Sequence, residues 1–128
     1  MPNPVKFAAR SLIAGLFVVG GINQFKNASH LGPVVDAAKE EYAIDVDVAG
    51  EDLVKLNGAG MVAAASTMAL GILPRLSALS LLGLIVPTTI VGHPFWKQEG
   101  ELRQRNMTSW ASNAAAAGGL LLVALDPK

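Results

Sequence analysis

The sequence contains no cysteine. That absence excludes disulfides, thiolate catalysis, thiolate zinc sites and cysteine-ligated iron–sulfur clusters. Charge is also scarce. Only 16% of the 128 residues are Asp, Glu, Lys or Arg, against roughly 25% in soluble domains. Lys plus Arg equals Asp plus Glu at ten each, so no cationic excess points to a nucleic-acid partner. Histidine is limited to His30 and His93, and neither lies inside an oily segment. Heme held by two histidines inside an apolar bundle therefore has no ligands, and no metal site is expected.

What fills the chain instead is hydrocarbon. Hydrophobic residues make up 52% of it, and the mean hydropathy is +0.43. The oily residues gather into stretches almost free of charge. Those stretches predict helices over residues 5–25, 53–73, 76–92 and 107–125. A membrane-spanning helix needs about 20 mainly apolar residues, with a range of about 17–25. The expected architecture is an all-α, integral membrane bundle of four transmembrane helices, forming a single domain over residues 1–128, with both termini on one side. Lys6 and Arg10 are expected to snorkel toward the interface.

Between the first two oily stretches lies a polar segment rich in acids: Asp36, Glu40, Glu41, Asp45, Asp47, Glu51 and Asp52. Residues 33–42 read as a short amphipathic helix, with Val34, Val35, Ala38 and Tyr42 at helical spacing on one face. The expected place for it is a cap over the bundle; the other reading is a helix lying along the bilayer surface. Pro74-Arg75 reads as a very short link, which makes its flanking helices antiparallel neighbours. Pro87 removes a backbone donor inside the third oily stretch and frees the carbonyl of Gly83. A kink is expected there, with Thr88 or Thr89 adjusting to the freed carbonyls. Ala111, Ala115 and Gly119 form a small-residue ridge suited to close helix packing.

The polar residues near these stretches are the candidate site. Asn23, Asn57, His93, Trp96 and Asn113 are expected to converge at one end of the bundle; Gln24 is a further polar candidate. Arg10, Arg75, Arg103 and Arg105 are the candidate interface charges. Such residues serve either as an interhelical hydrogen-bond network or as a small polar pocket. His93-Pro94-Phe95-Trp96 has two readings as well. It is an interfacial anchor and structural corner, with Pro94 stopping the helix. Alternatively, His93 and Trp96 donate to the headgroup of a quinone, the one cofactor that stays open. The anchor is the expected reading. Lys6, Arg10, Arg75 and Lys128 fall at one end, and Lys26, Lys39, Lys97, Arg103 and Arg105 at the other. That count does not fix an orientation.

The order of several short motifs resembles the DoxX family, and especially its actinobacterial branch. The motifs are Leu56-Asn57-Gly58, then Gly71-Ile72-Leu73-Pro74-Arg75. Val86-Pro87-Thr88-Thr89 and Gly92-His93-Pro94-Phe95-Trp96 follow, and last come Asn113 and Gly118-Gly119-Leu120-Leu121. The resemblance implies a multi-pass plasma-membrane protein of four helices with cytoplasmic termini. Some family members are named as subunits of a terminal quinol oxidase or a thiosulfate:quinone oxidoreductase. Actinobacterial members are linked to a membrane-associated oxidoreductase complex that handles oxidative stress. The chain departs from the family where many members carry a Glu near the start of the second helix and this one has Asn57. It departs again where an aromatic and a Lys often precede the Asn of the last helix; here stand Trp110-Ala111-Ser112. The function expected is a small subunit, not itself catalytic, that anchors or assembles a redox-linked complex of membrane or membrane-associated proteins. The alternative is a quinone-binding subunit of a quinone-dependent oxidoreductase. A carrier is disfavoured because no carboxylate or cation falls at mid-depth.

Overall fold

The computed structural model describes residues 3–93 and 95–126, with Phe95 described by its backbone alone. The expected helix stop at Pro94 and the charge at Lys128 lie outside the described residues. Among the described residues the chain forms five α-helices and no strand: α1 (Pro4–Lys26), α2 (Ala28–Glu41), α3 (Gly50–Ala69), α4 (Pro74–Gly92) and α5 (Gly100–Leu125). A 3-10 turn, Phe95–Lys97, joins α4 to α5.

Local chemistry sets the helix ends. Asn3 caps α1: its Oδ1 accepts from the N–H groups of Val5 (2.9 Å) and Lys6 (3.2 Å), and Pro4 fills the first helical position. α2 begins at Ala28, five residues before the expected start, with Pro33 inside it. Pro33 is tolerated because the carbonyl it leaves without a donor belongs to Ser29, in the exposed first turn. α3 starts at Gly50, where the Gly50 N–H donates to Asp36 Oδ1 on α2 (2.9 Å). A carboxylate placed there also suits the positive end of the helix dipole. The far end of α3 comes earlier than expected, at Ala69. Gly71 takes φ +77°, and Ile72 N–H turns back to the Thr67 carbonyl (2.9 Å), a Schellman closure. The link to α4 is thus residues 70–73, and Pro74 is the first residue of α4 rather than part of the turn. α5 begins seven residues before the expected start. Its first turns, Gly100 to Asn106, are rich in charge but also in good helix formers.

Backbone proximity sets the packing. A Cβ on Gly21 would lie 2.6 Å from the Gly58 carbonyl, and one on Gly58 would lie 2.5 Å from the Gly21 carbonyl. α1 and α3 are therefore pressed together backbone to backbone, which only glycine at both positions permits. Gly32 and Gly50 make a second contact of this kind, seating α2 on the start of α3. α3 is the central helix, packed against α1, α2 and α4, and α5 lies against α4.

Large apolar side chains lie on the outside of the bundle as well as in its core. Ala14, Ala65 and Ala78 sit in the core with Phe17, Met68, Leu81 and Leu120. Leu12 (79% exposed), Val19 (70%) and Leu122 (74%) point outward, as do Leu76, Leu79 and Leu125. So many large apolar side chains on the outside fit a hydrocarbon surround. Among the described residues three helices, α1, α4 and α5, are long and apolar enough to cross a membrane. α3 falls outside that set because Glu51, Asp52 and Lys55 open it and Gly, Ala, Ser and Thr dilute the rest.

The glycine contact makes a direct prediction. Gly58→Ala should destabilise the bundle by about 1–3 kcal/mol, read as a lower melting temperature in detergent. Gly83→Ala, where an added Cβ meets nothing within 4 Å, should melt at or above wild type. Equal melting of the two variants would show that the α1–α3 backbone contact does not matter.

Candidate functional site

Thr88 and Thr89 are adjacent on α4, so they face in directions about 100° apart. Each hydroxyl donates to the carbonyl four residues earlier: Thr88 Oγ1 to Leu84 (2.8 Å) and Thr89 Oγ1 to Ile85 (2.7 Å). With its proton committed, each oxygen is left as an acceptor. Asn57 Nδ2, from α3, donates to Thr88 Oγ1 (2.8 Å) and to Gln24 Oε1 on α1 (2.7 Å). Asn113 Nδ2, from α5, donates to Thr89 Oγ1 (3.0 Å). Side chains of α1, α3, α4 and α5 are thereby joined through two neighbouring threonines. Pro87 does not interrupt α4, which runs as one helix to Gly92. The threonine hydroxyls serve the carbonyls of Leu84 and Ile85 and not that of Gly83. Their main structural use is to receive the two asparagines.

A second cluster closes the turn between α4 and α5. The His93 N–H donates to the Thr89 carbonyl (3.1 Å). Asn106, buried on α5, donates from Nδ2 to Gln98 Oε1, and its Oδ1 lies 2.9 Å from His93 Nδ1. Because the Asn106 amide gives its hydrogen to Gln98, the oxygen faces the ring. Neutral His93 therefore carries its proton on Nδ1 and presents a lone pair at Nε2. Trp96, on the 3-10 turn, is 47% exposed. Lys97 pairs with Glu41 at the end of α2 and lies 5.4 Å from the centroid of the Tyr42 ring. The hydrogen bond and charge of Glu41 hold the Lys97 ammonium above its ordinary pKa. α2 is thus a cap fastened at two points, by Asp36 near its middle to α3 and by Glu41 at its end to the α4–α5 turn.

The expected polar pocket separates into parts. Asn57 and Asn113 enter the cross-bundle network, together with Gln24. His93 stands in its own cluster with Asn106 and Gln98. Asn23 joins neither: it is exposed, and its Oδ1 accepts from Asn27 Nδ2 (2.9 Å) where α1 meets α2. Trp96 lies on the outside. Arg10 and Arg75 anchor at the end holding the termini, through Nε to the carbonyls of Met68 (3.1 Å) and Ala124 (2.9 Å). Arg103 and Arg105 are exposed at the opposite end, on the first turns of α5. Asn106 and Gln98 were the residues missed, and Asn106 had a signal: Asn106, Asn113 and Leu120 recur every seven residues on what is one face of α5.

The network predicts specific couplings. A double-mutant cycle of Asn57→Ala with Thr88→Val should give a coupling energy of about 0.6 kcal/mol, and no more than about 2 kcal/mol. The same cycle with Asn23→Ala should give none. A coupling at Asn23 equal to that at Asn57 would mean the network runs elsewhere.

A search of the curated proteins and of the solved structures finds no match to this chain. The family model of DoxX matches residues 5–94, which takes in α1 to α4 together with Asn57, the threonine pair and His93. With three helices apolar enough to span a bilayer and that match over most of its length, the chain is a multi-pass membrane protein and belongs to the DoxX family, which is often linked to redox or stress responses.

Proposed function

We propose that this protein is a small plasma-membrane subunit that anchors or assembles a redox-linked complex, respiratory or protective against oxidative stress, and that the chemistry is done by its partners. One observation carries this reading. The polar side chains inside the bundle are committed to one another: Asn57 gives both amide hydrogens to Gln24 and Thr88, and both threonine hydroxyls already donate and accept. Among the described residues no buried side-chain nitrogen or oxygen lacks a partner. Such contacts hold helices together.

The quinone alternative is weakened by the same bookkeeping of protons. A quinone carbonyl needs a donor, and the Nδ1 proton of neutral His93 faces Asn106. On this reading α3 is a fourth span, packed against α1, α2 and α4, and both termini are cytoplasmic. The Lys6–Asp126 ion pair at 2.8 Å, which joins the start of α1 to the end of α5, supports a common side for the two.

Purification from gently solubilised membranes, followed by native mass spectrometry, tests the role. Redox-protein partners in fixed ratio, without bound quinone, are expected. One quinone per chain and no protein partner would overturn the proposal. Topology is testable because the chain has no cysteine of its own. On intact cells an impermeant thiol reagent should label Ser29→Cys and should miss both Ile72→Cys and Lys128→Cys until the membrane is permeabilised. Labelling of Ile72→Cys and Lys128→Cys along with Ser29→Cys on intact cells would mean that α3 does not cross, since α4 and α5 together return the chain to the side of residue 72.

The corner at His93 adds a variant test. His93→Ala leaves the Oδ1 of buried Asn106 without its partner and should cost about 1–3 kcal/mol, with lower folded yield. Unchanged stability together with lost quinol-dependent activity in the assembled complex would favour the quinone reading.

A further inference from the structure

α1 and α5 meet only sparsely. Between them, and against the start of α4, lies an open cavity of about 900 Å³. It sits at the end of the bundle that carries the termini. Its walls are mainly apolar, with Ile13, Leu79, Leu122 and Val123 along its length. Its rim carries Arg10 and Arg75.

These two arginines are held in an unusual way. Each is fixed through Nε to a carbonyl at or near the end of a neighbouring helix, Arg10 to Met68 of α3 and Arg75 to Ala124 of α5. That end of a helix is electronegative, so the contact both orients and favours the cation. Among the described residues no carboxylate lies within ion-pair distance of either guanidinium; Asp126, the acid on the same rim, pairs with Lys6 at 2.8 Å. The Nη groups therefore keep their donor capacity for an acceptor from outside the protein. An arginine fork matches a phosphate oxygen pair in geometry as well as charge.

We infer that this cleft is a binding site for one anionic phospholipid of the bilayer. Arg10 and Arg75 take its phosphate, and an acyl chain lies in the apolar groove between α1 and α5. Charge complementarity selects the headgroup, and the apolar walls select a ligand with a hydrocarbon tail over a free anion. A cavity of this size is within the range of small-molecule sites. The lipid would fill the gap that leaves α1 and α5 poorly joined. The assignment does not depend on which leaflet faces the cytoplasm, nor on whether the protein assembles a redox complex.

The test uses the full-length chain purified in mild detergent and exposed to equimolar phosphatidylglycerol and phosphatidylcholine. Native mass spectrometry should find about one retained lipid per chain, with phosphatidylglycerol enriched on the order of 10–30-fold. The paired change Arg10→Gln with Arg75→Gln should abolish that enrichment, and Arg103→Gln with Arg105→Gln should preserve it. Arg75→Gln alone, at an exposed position, should reduce the enrichment even if loss of the Arg10–Met68 contact impairs folding of the paired variant. A thermal melt supplies an independent reading: phosphatidylglycerol should raise the melting temperature of wild type, whereas inorganic phosphate and phosphatidylcholine should not. Equal retention of both lipids, full enrichment in Arg75→Gln, or the same stabilisation by inorganic phosphate would overturn the assignment.

Discussion

The bundle depends on two threonine hydroxyls that are each used twice. Thr88 and Thr89 donate up their own helix and accept from asparagines on two other helices. In hydrocarbon, helices gain nothing from burying apolar surface against one another, since lipid is as oily as leucine. Registration must come from close packing and from polar contacts. The Gly21–Gly58 approach supplies the first, between α1 and α3. The Gln24–Asn57–Thr88 and Asn113–Thr89 contacts supply the second and carry it on to α4 and α5. Pro87 belongs to the same design. It stands directly before the two threonines, and α4 passes through it without a break.

Much of this was legible in the sequence, and the reasons differ by element. The oily stretches announced α1, α4 and the apolar part of α5 because a bilayer imposes a length on them. The boundaries of α3 and α5 were not legible. α5 starts two turns before its apolar part begins, and charge there says only that the helix has not yet entered hydrocarbon, not that it has not yet started. α3 gains its first turn from Asp36, a residue fourteen positions earlier on another helix, which no local pattern encodes. At the site, polar residues were identifiable one by one but not as pairs. Asn23 and Gln24 are neighbours in sequence, yet one faces solvent and the other faces Asn57. Which of them points inward is decided by the rotation of α1 about its axis, and the glycine contact sets that rotation.

α2 and the 3-10 turn show how the polar end is finished. Asp36 and Glu41 lie more than one turn apart on α2 and hold separate elements, α3 and the α4–α5 turn. The groove beneath α2 stays apolar, lined by Val34, Ala38, Ile90 and Val91. The acids of this segment are thus not simply a solvated run. Some of them fasten a lid to the bundle, while His93, Gln98 and Asn106 close the neighbouring turn from within.

Amides and hydroxyls do not ionise, and that has an electrical consequence. Past Arg10, α1 has no ionisable side chain until Lys26; α3 has none after Lys55, α4 none after Arg75, and α5 none between Arg105 and its end. The network joining these helices therefore carries no net charge for a transmembrane voltage to pull on. Nor does it hold a group that takes up or releases a proton at cellular pH. The contacts that set helix register stay the same whether the membrane is energised or not.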